Sequence, residues 1–145
     1  PGMVQKYLSK ISGPLLDRID IHIEIVPVPF EELSKKEELE SSETIRKRVI
    51  NARNIQSKRF EKYPGIYCNA QMSSKLIREF VQLDSESENR LKTAINRLNL
   101  SARAYDKILK VARTIADMDN SENVKPNHIS EAINYRNLDR EGWGG

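Results

Sequence analysis

The feature that most constrains this chain is a run of isoleucines at alternate positions near its start. Alternation of this kind predicts a half-buried β-strand, and prolines at positions 27 and 29 end it. The apolar face consists of Ile19, Ile21, Ile23 and Ile25. One amphipathic strand cannot bury its own face, and the remaining sequence offers no second strand of comparable quality. We therefore expect residues 1–28 to be the end of a larger α/β domain, comprising a short helix over residues 4–11 and this strand.

The rest of the chain predicts helices. Residues 29–43 contain six acidic and two basic side chains, which is typical of a solvated linker. Apolar residues then recur at helical spacing, so residues 44–136 predict a bundle of about five helices. Ser85 with Glu88 fits a capping box, while Ser101 and Pro126 mark two later helix starts. The expected fold is mainly α, with a polar tail over residues 137–145.

Several classes of protein are excluded by composition. No apolar stretch approaches about 18 residues, and the first residues lack the apolar core of a signal peptide, so we expect a cytoplasmic protein without a membrane partner. The six glycines form no phosphate-binding loop, and two histidines with the single Cys68 give no zinc spacing. The chain therefore predicts no metal site and no self-contained catalytic centre.

Charge is distributed unevenly, although the net charge is only +3. Residues 44–62 contain seven bases against one acid on a predicted helix, a pattern that can neutralise nucleic-acid phosphates. The candidate contacts are Arg46, Lys47, Arg53, Lys58 and Arg59. The alternative is a solvated helix face that pairs with the acidic linker, and no aromatic residues interleave the bases for stacking.

Two further arginines are candidates for phosphate chemistry. Arg103 lies two residues after the predicted cap Ser101, where free backbone N–H groups and the helix dipole favour an anion. Its alternative is a solvated side chain beside Asp106. Arg18 lies between a turn and the predicted strand, and its alternative is a local ion pair with Asp17 or Asp20.

Two long motifs resemble one protein family. Residues 7–21, YLSKISGPLLDRIDI, resemble the segment after sensor 1 in the magnesium-chelatase-like AAA+ ATPases, especially their ComM-like branch. Residues 100–117, LSARAYDKILKVARTIAD, resemble the sensor 2 helix of that family. The resemblance implies that Arg18 is the arginine finger, acting on the nucleotide of a neighbouring subunit, and that Arg103 is the sensor 2 arginine. Residues 44–136 then correspond to the helical lid.

The resemblance also implies what the chain lacks. Walker A and Walker B motifs would precede residue 1, so we expect no hydrolysis and no bound cofactor in this fragment, but ATP and Mg²⁺ in the full-length protein. The expected partners are neighbouring subunits of a homo-oligomeric ring, a hexamer, and DNA, because ComM-like relatives are branch-migration helicases in natural transformation. Two alternatives stay open: the lid of a true magnesium chelatase subunit, and a stand-alone helical module that binds DNA.

Overall fold

The computed structural model describes residues 10, 12–23, 25, 27–30 and 40–136. Five helices lie within the described residues 40–136, so the predicted mainly helical fold is confirmed. The helices are α1 (Gly13–Leu16), α2 (Ser42–Arg59), α3 (Ser74–Phe80), α4 (Ser85–Leu98), α5 (Ala102–Met118) and α6 (Pro126–Asn134), with a 3-10 turn at Asn69–Gln71. The predicted helix over residues 4–11 and the tail lie almost wholly outside the described residues. Among those described, no helix has the length and apolarity needed to cross a membrane.

Helix α5 is the centre of the bundle. It contacts α2, α3, α6 and the 3-10 turn, while α4 packs on α6. Its inward stripe includes Ile108, Ala112 and Ala116, which are completely buried. The two alanines allow close helix approach, and burial of the larger side chains supplies the main stabilisation of the bundle. At one edge, the rings of Phe60, Tyr63 and Phe80 meet edge to face.

Two of the three predicted helix starts are confirmed, and one is wrong. Ser101 caps α5 by accepting the Ala104 N–H at 3.1 Å, and Pro126 is the first residue of α6. The predicted cap Ser85 is wrong, because Asp84 caps α4 and accepts the Ser87 N–H at 2.7 Å. Asp and Ser are comparably good caps, so the local sequence did not determine which of the two adjacent residues stays outside the helix.

The isoleucine run forms no strand among the described residues 19–23 and 25. A strand is defined by a ladder of hydrogen bonds to a partner segment, and within the described part of the chain this run has no such ladder. Instead the His22 N–H donates to the Tyr135 carbonyl at 2.7 Å, which fastens the segment to the end of α6. Ile23 and Ile25 remain 68% and 89% exposed.

Candidate functional site

The first turn of α5 is bound to the segment that follows α1. Ser101 Oγ donates to Asp17 Oδ1 at 2.7 Å, and Arg103 Nη1 donates to Asp17 Oδ2 at 2.9 Å. The cap hydroxyl of Ser101 therefore accepts the Ala104 N–H while it donates to the carboxylate. One carboxylate joins two regions that lie more than eighty positions apart in the sequence.

The electrostatics at Asp17 favour its ionised form. Burial raises the pKa of the Asp17 carboxyl, but the hydrogen bonds from Ser101 and Arg103 and the charges of Arg103 and Arg136 outweigh that effect. The pKa consequently lies below its ordinary value of 3.8. Arg136, which is completely buried, contributes from Nη2 at 3.9 Å from Asp17 Oδ1.

A second set of contacts holds the backbone around Arg18. Lys107, one turn after Arg103 on α5, donates from Nζ to the Arg18 carbonyl at 2.8 Å and also to the Asp20 carboxylate. Arg136 donates to the Ile19 carbonyl. Two successive carbonyls are thus bonded to long side chains of the helical bundle, which fixes the backbone at position 18 relative to α5.

The Arg18 side chain is exposed, and its Nη1 donates to the Pro14 carbonyl at 3.2 Å. The two carboxylates that the sequence offered as local partners, Asp17 and Asp20, bond to Arg103 and Lys107 instead. The guanidinium therefore lies at the surface beside a backbone that is firmly held. This arrangement can present a cation to a group outside the chain.

Arg103 also borders a polar pocket of ≈ 450 Å³, a size typical of ligand sites. The lining residues are Asp20, Ala70, Ala102, Arg103, Asp106, Lys107 and Lys110. Asp106, the alternative partner for Arg103, instead accepts a hydrogen bond from Ser74 Oγ at 2.8 Å. Sequence reasoning missed Lys107 and Lys110, although their spacing from Arg103, four and seven residues, places all three on one helix face. Arg103 and Lys107 bond to Asp17 and Asp20, and Lys110 Nζ donates to the Ala70 carbonyl at 2.9 Å, so a phosphate in this pocket would compete with these acceptors.

Four of the candidate nucleic-acid contacts lie at the surface of α2. Arg46, Lys47, Arg53 and Lys58 are all exposed. Lys47 Nζ lies 2.8 Å from Glu43 Oε1, and both side chains are about three-quarters exposed, so this pair is weak. The buried residues of α2 are Ala52 and Gln56, so none of the first ten residues of the helix is buried, and Asn51 Nδ2 donates to Asn120 Oδ1 at 2.5 Å.

The fifth candidate, Arg59, lies apart from them. Its side chain is 12% exposed and forms an ion pair with the completely buried Asp117 of α5. Arg113 and Asn69 also donate to this carboxylate, at 3.1 and 2.8 Å. Arg59 therefore fastens α2 to α5 and does not belong to the exposed basic surface.

Comparison with known families gives two matches along the chain. The C-terminal family of magnesium chelatase, subunit ChlI, matches residues 39–136. The family of magnesium chelatase, subunit ChlI, matches residues 1–33. The first match contains the bundle and Arg103, and the second contains Asp17 and Arg18.

Individual relatives are similar over nearly the whole chain. Protein YifB of Escherichia coli (strain K12) is 42% identical and competence protein ComM of Haemophilus influenzae is 38% identical, each over 97% of this chain. A Mycobacterium tuberculosis protein is 32% identical over 91%. The chain spans about a quarter of the length of these relatives, 27% for the first two.

Proposed function

We propose, from the premise that this chain belongs to the magnesium chelatase subunit ChlI family, that it is the lid and finger segment of a ring-forming, ATP-driven motor. The full-length cytoplasmic protein binds ATP and Mg²⁺ and assembles as a hexamer that remodels DNA, as the similarity to competence protein ComM supports. The single observation that carries the proposal is the meeting of the Arg18 segment with Arg103 at the start of α5.

In this proposal Arg18 acts on the nucleotide of the neighbouring subunit. Its guanidinium is exposed, while Lys107 and Arg136 hold the carbonyls of residues 18 and 19, so the cation is directed by a fixed backbone. A planar guanidinium stabilises charge that develops on transferring phosphoryl oxygens, and this is worth roughly 10³- to 10⁵-fold in kcat.

Arg103 is the sensor 2 arginine in this proposal and contacts the nucleotide phosphate. Its side chain is 57% exposed and lies beside Lys107 and Lys110 in the polar pocket, next to the N–H groups at the start of α5. Bound ATP with Mg²⁺ supplies the transferable phosphoryl group. The contribution of this chain is to hold and sense the phosphates from the lid side.

The test is nucleotide binding and hydrolysis by the full-length protein. Arg18→Ala should lower kcat by at least about 10³-fold and leave the Kd for ATP within about threefold, because the finger stabilises charge that develops in the transition state. Arg103→Ala should weaken nucleotide binding by about 10-fold, the loss of one charge-assisted contact, and lower hydrolysis with it.

A matched control is Arg78→Ala, which removes an exposed arginine from α3. This variant should hydrolyse ATP at the wild-type rate. Wild-type hydrolysis by Arg18→Ala would refute the finger assignment, and unchanged nucleotide affinity in Arg103→Ala would refute the sensor assignment. Each residue is thus tested separately.

A specific observation also supports direct DNA contact by this chain. Arg46, Arg53 and Lys58 are exposed on α2, and none of the first ten residues of that helix is buried. Non-specific binding through such bases depends on counterion release, so log Kd should vary steeply with log salt concentration.

This second function is tested by fluorescence anisotropy with duplex DNA. Arg46→Ala with Arg53→Ala should weaken binding and lower the salt slope by about 2, one for each lost phosphate contact. Lys75→Ala, which removes an exposed base from α3, is the control and should leave the slope unchanged. A slope near zero for the wild type would exclude the stand-alone DNA-binding module.

Stimulation of hydrolysis by protoporphyrin instead of DNA would favour the chelatase alternative.

A further inference from the structure

A groove runs between α4 and α6, on residues that belong neither to the polar pocket beside Arg103 nor to α2. Two cavities of ≈ 670 and ≈ 630 Å³ form this groove, and both are lined by Ile133 and Asn134 of α6. The lining on the other side extends from Glu86 to Asn99, which is about 20 Å along α4. An extended peptide of about six residues has the same length.

The spacing of residues on α4 explains why one helix face lines the whole groove. Arg90, Thr93 and Arg97 follow Glu86 at four, seven and eleven residues, so all four lie on the same face. The apolar lining residues are Ala94, Leu98 and Ile133, and the other lining residues carry polar side chains.

The polar side chains of this groove have hydrogen-bonding capacity to spare. Its four asparagine carboxamides form no hydrogen bond with any residue that the structure describes; they belong to Asn89, Asn96, Asn99 and Asn134. Each carboxamide has two donors and an acceptor oxygen. A peptide main chain also offers both donors and acceptors, whereas the phosphate backbone of a nucleic acid offers acceptors only. The carboxamides therefore match a peptide main chain better.

The charges of the groove favour an acidic residue in the bound peptide. Arg90 is already compensated, because it donates to Glu86 Oε1 at 2.6 Å and to Ser130 Oγ at 2.8 Å. Arg97 is exposed and forms no ion pair or hydrogen bond within the described part of the chain. One uncompensated cation can pair with one carboxylate, but it cannot make the several phosphate contacts on which binding of a polyanion depends.

We propose that the groove between α4 and α6 binds an extended, acidic peptide segment of a partner protein. The asparagine carboxamides exchange hydrogen bonds with the peptide main chain, and Arg97 pairs with an Asp or Glu side chain of the peptide. Main-chain bonds then supply affinity, and the ion pair supplies selectivity. The inference is independent of the proposed ATP chemistry, since no residue of the groove lines the pocket beside Arg103.

The test is selection of phage-displayed random octapeptides on the full-length protein, followed by fluorescence anisotropy with the enriched peptides. These peptides should contain Asp or Glu. Arg97→Ala should weaken their binding about 2- to 5-fold, and Arg97→Glu should reverse the preference towards Lys or Arg. Asn134→Ala should weaken binding about 2- to 10-fold through lost hydrogen bonds. The controls Asn54→Ala and Arg78→Ala remove an exposed asparagine from α2 and an exposed arginine from α3, and should leave Kd unchanged.

A methylated peptide tests the main-chain bonds without any change to the protein. Methylation of alternate amide nitrogens removes donors but keeps every side chain, so it should weaken binding at least about 10-fold. Equal affinity of the methylated peptide, enriched peptides without acidic residues, or no enrichment above a protein that carries both Arg97→Ala and Asn134→Ala would overturn the proposal. A labelled single-stranded oligonucleotide probes the other class of partner, and binding of this probe that the double variant abolishes would also overturn the proposal.

Discussion

Replacement of Asp117 by asparagine should destabilise the bundle more than any comparable surface change. The carboxylate is completely buried, and two guanidinium groups meet it, those of Arg59 and Arg113. Arg59 donates from Nη1 at 2.7 Å and also from Nη2, while Arg113 donates from Nε at 3.1 Å. Asp117→Asn leaves two buried cations close together without the anion that compensates them.

The size of the destabilisation depends on the hydrogen-bond partners that Arg59 and Arg113 keep in the variant. Breaking a buried ion pair by neutralising one partner costs about 3–5 kcal/mol. Here Arg113 keeps the carbonyls of Ser121 and Glu122 at 2.6 and 2.8 Å, and Arg59 keeps Asn69 Oδ1 at 2.8 Å. Because these bonds remain, we expect the loss in the free energy of unfolding to lie near the lower end of this range, at about 3 kcal/mol. For a bundle of this size, that corresponds to a fall in Tm of about 12–24 °C.

Thermal and urea unfolding followed by circular dichroism measures this loss. Glu43→Gln is the matched control, because it neutralises a carboxylate whose partner Lys47 is about three-quarters exposed, and it should cost at most about 0.5 kcal/mol. Adding Arg59→Met to Asp117→Asn should recover part of the stability, since it removes one uncompensated cation. A loss below about 1 kcal/mol for Asp117→Asn, or no recovery in the double variant, would refute the reasoning.

Three further outcomes are expected. The pKa of Asp17 lies below 3.8. The contribution of Asp17 to docking of the segment after α1 should therefore persist down to about pH 4 and be lost as the pH falls through its folded-state pKa. NMR titration should show that Arg103→Ala raises this pKa, and an unchanged midpoint would contradict the pairing of Asp17 with Arg103. Asn99 ends α4 in the left-handed conformation, at φ 49°, which a β-branched residue adopts only with strain. Asn99→Val should therefore lower the free energy of unfolding by about 1–2 kcal/mol, whereas Asn99→Gly should change it very little. Equal Tm values for the two variants would count against backbone strain at this position. Ile108 of α5 is completely buried, so Ile108→Ala should leave a cavity and lower the free energy of unfolding in urea by about 2–5 kcal/mol. A loss below about 1 kcal/mol would show that the surrounding core collapses into the cavity.

The helices were predictable because their signals are local. The cap Ser101, the first helical residue Pro126 and the apolar stripe of α5 depend on neighbours within a few turns, and all three lie where the local sequence predicts them. The isoleucine run gave an equally clear local pattern, but a strand depends on hydrogen bonds from another segment. Among the described residues, the run has one backbone-to-backbone bond, from His22 to Tyr135, in place of a ladder, and this is a tertiary outcome that alternation cannot reveal.

The role of Arg59 shows how a charge count can mislead. Counted by charge, Arg59 belongs to the basic run of residues 44–62. Counted by helical position, it lies seven residues after Ala52 and three after Gln56, the two buried residues of α2. Residues at these spacings share one face of a helix, so Arg59 turns inwards with them. Its partner Asp117 is 58 positions away, and no local pattern relates the two.

The same helix, α5, carries both charge systems, at opposite ends. Arg103 and Lys107 bond to the segment that carries Arg18 at the start of α5, and Asp117 pairs with Arg59 of α2 near its end. Fourteen residues separate Arg103 from Asp117, which is about 21 Å of helix. The side chains of Ile108, Ala112 and Ala116 between them are completely buried in the core. Weakening the Asp117 network should therefore loosen α2 without altering the bond between Arg103 and Asp17 at the other end of α5.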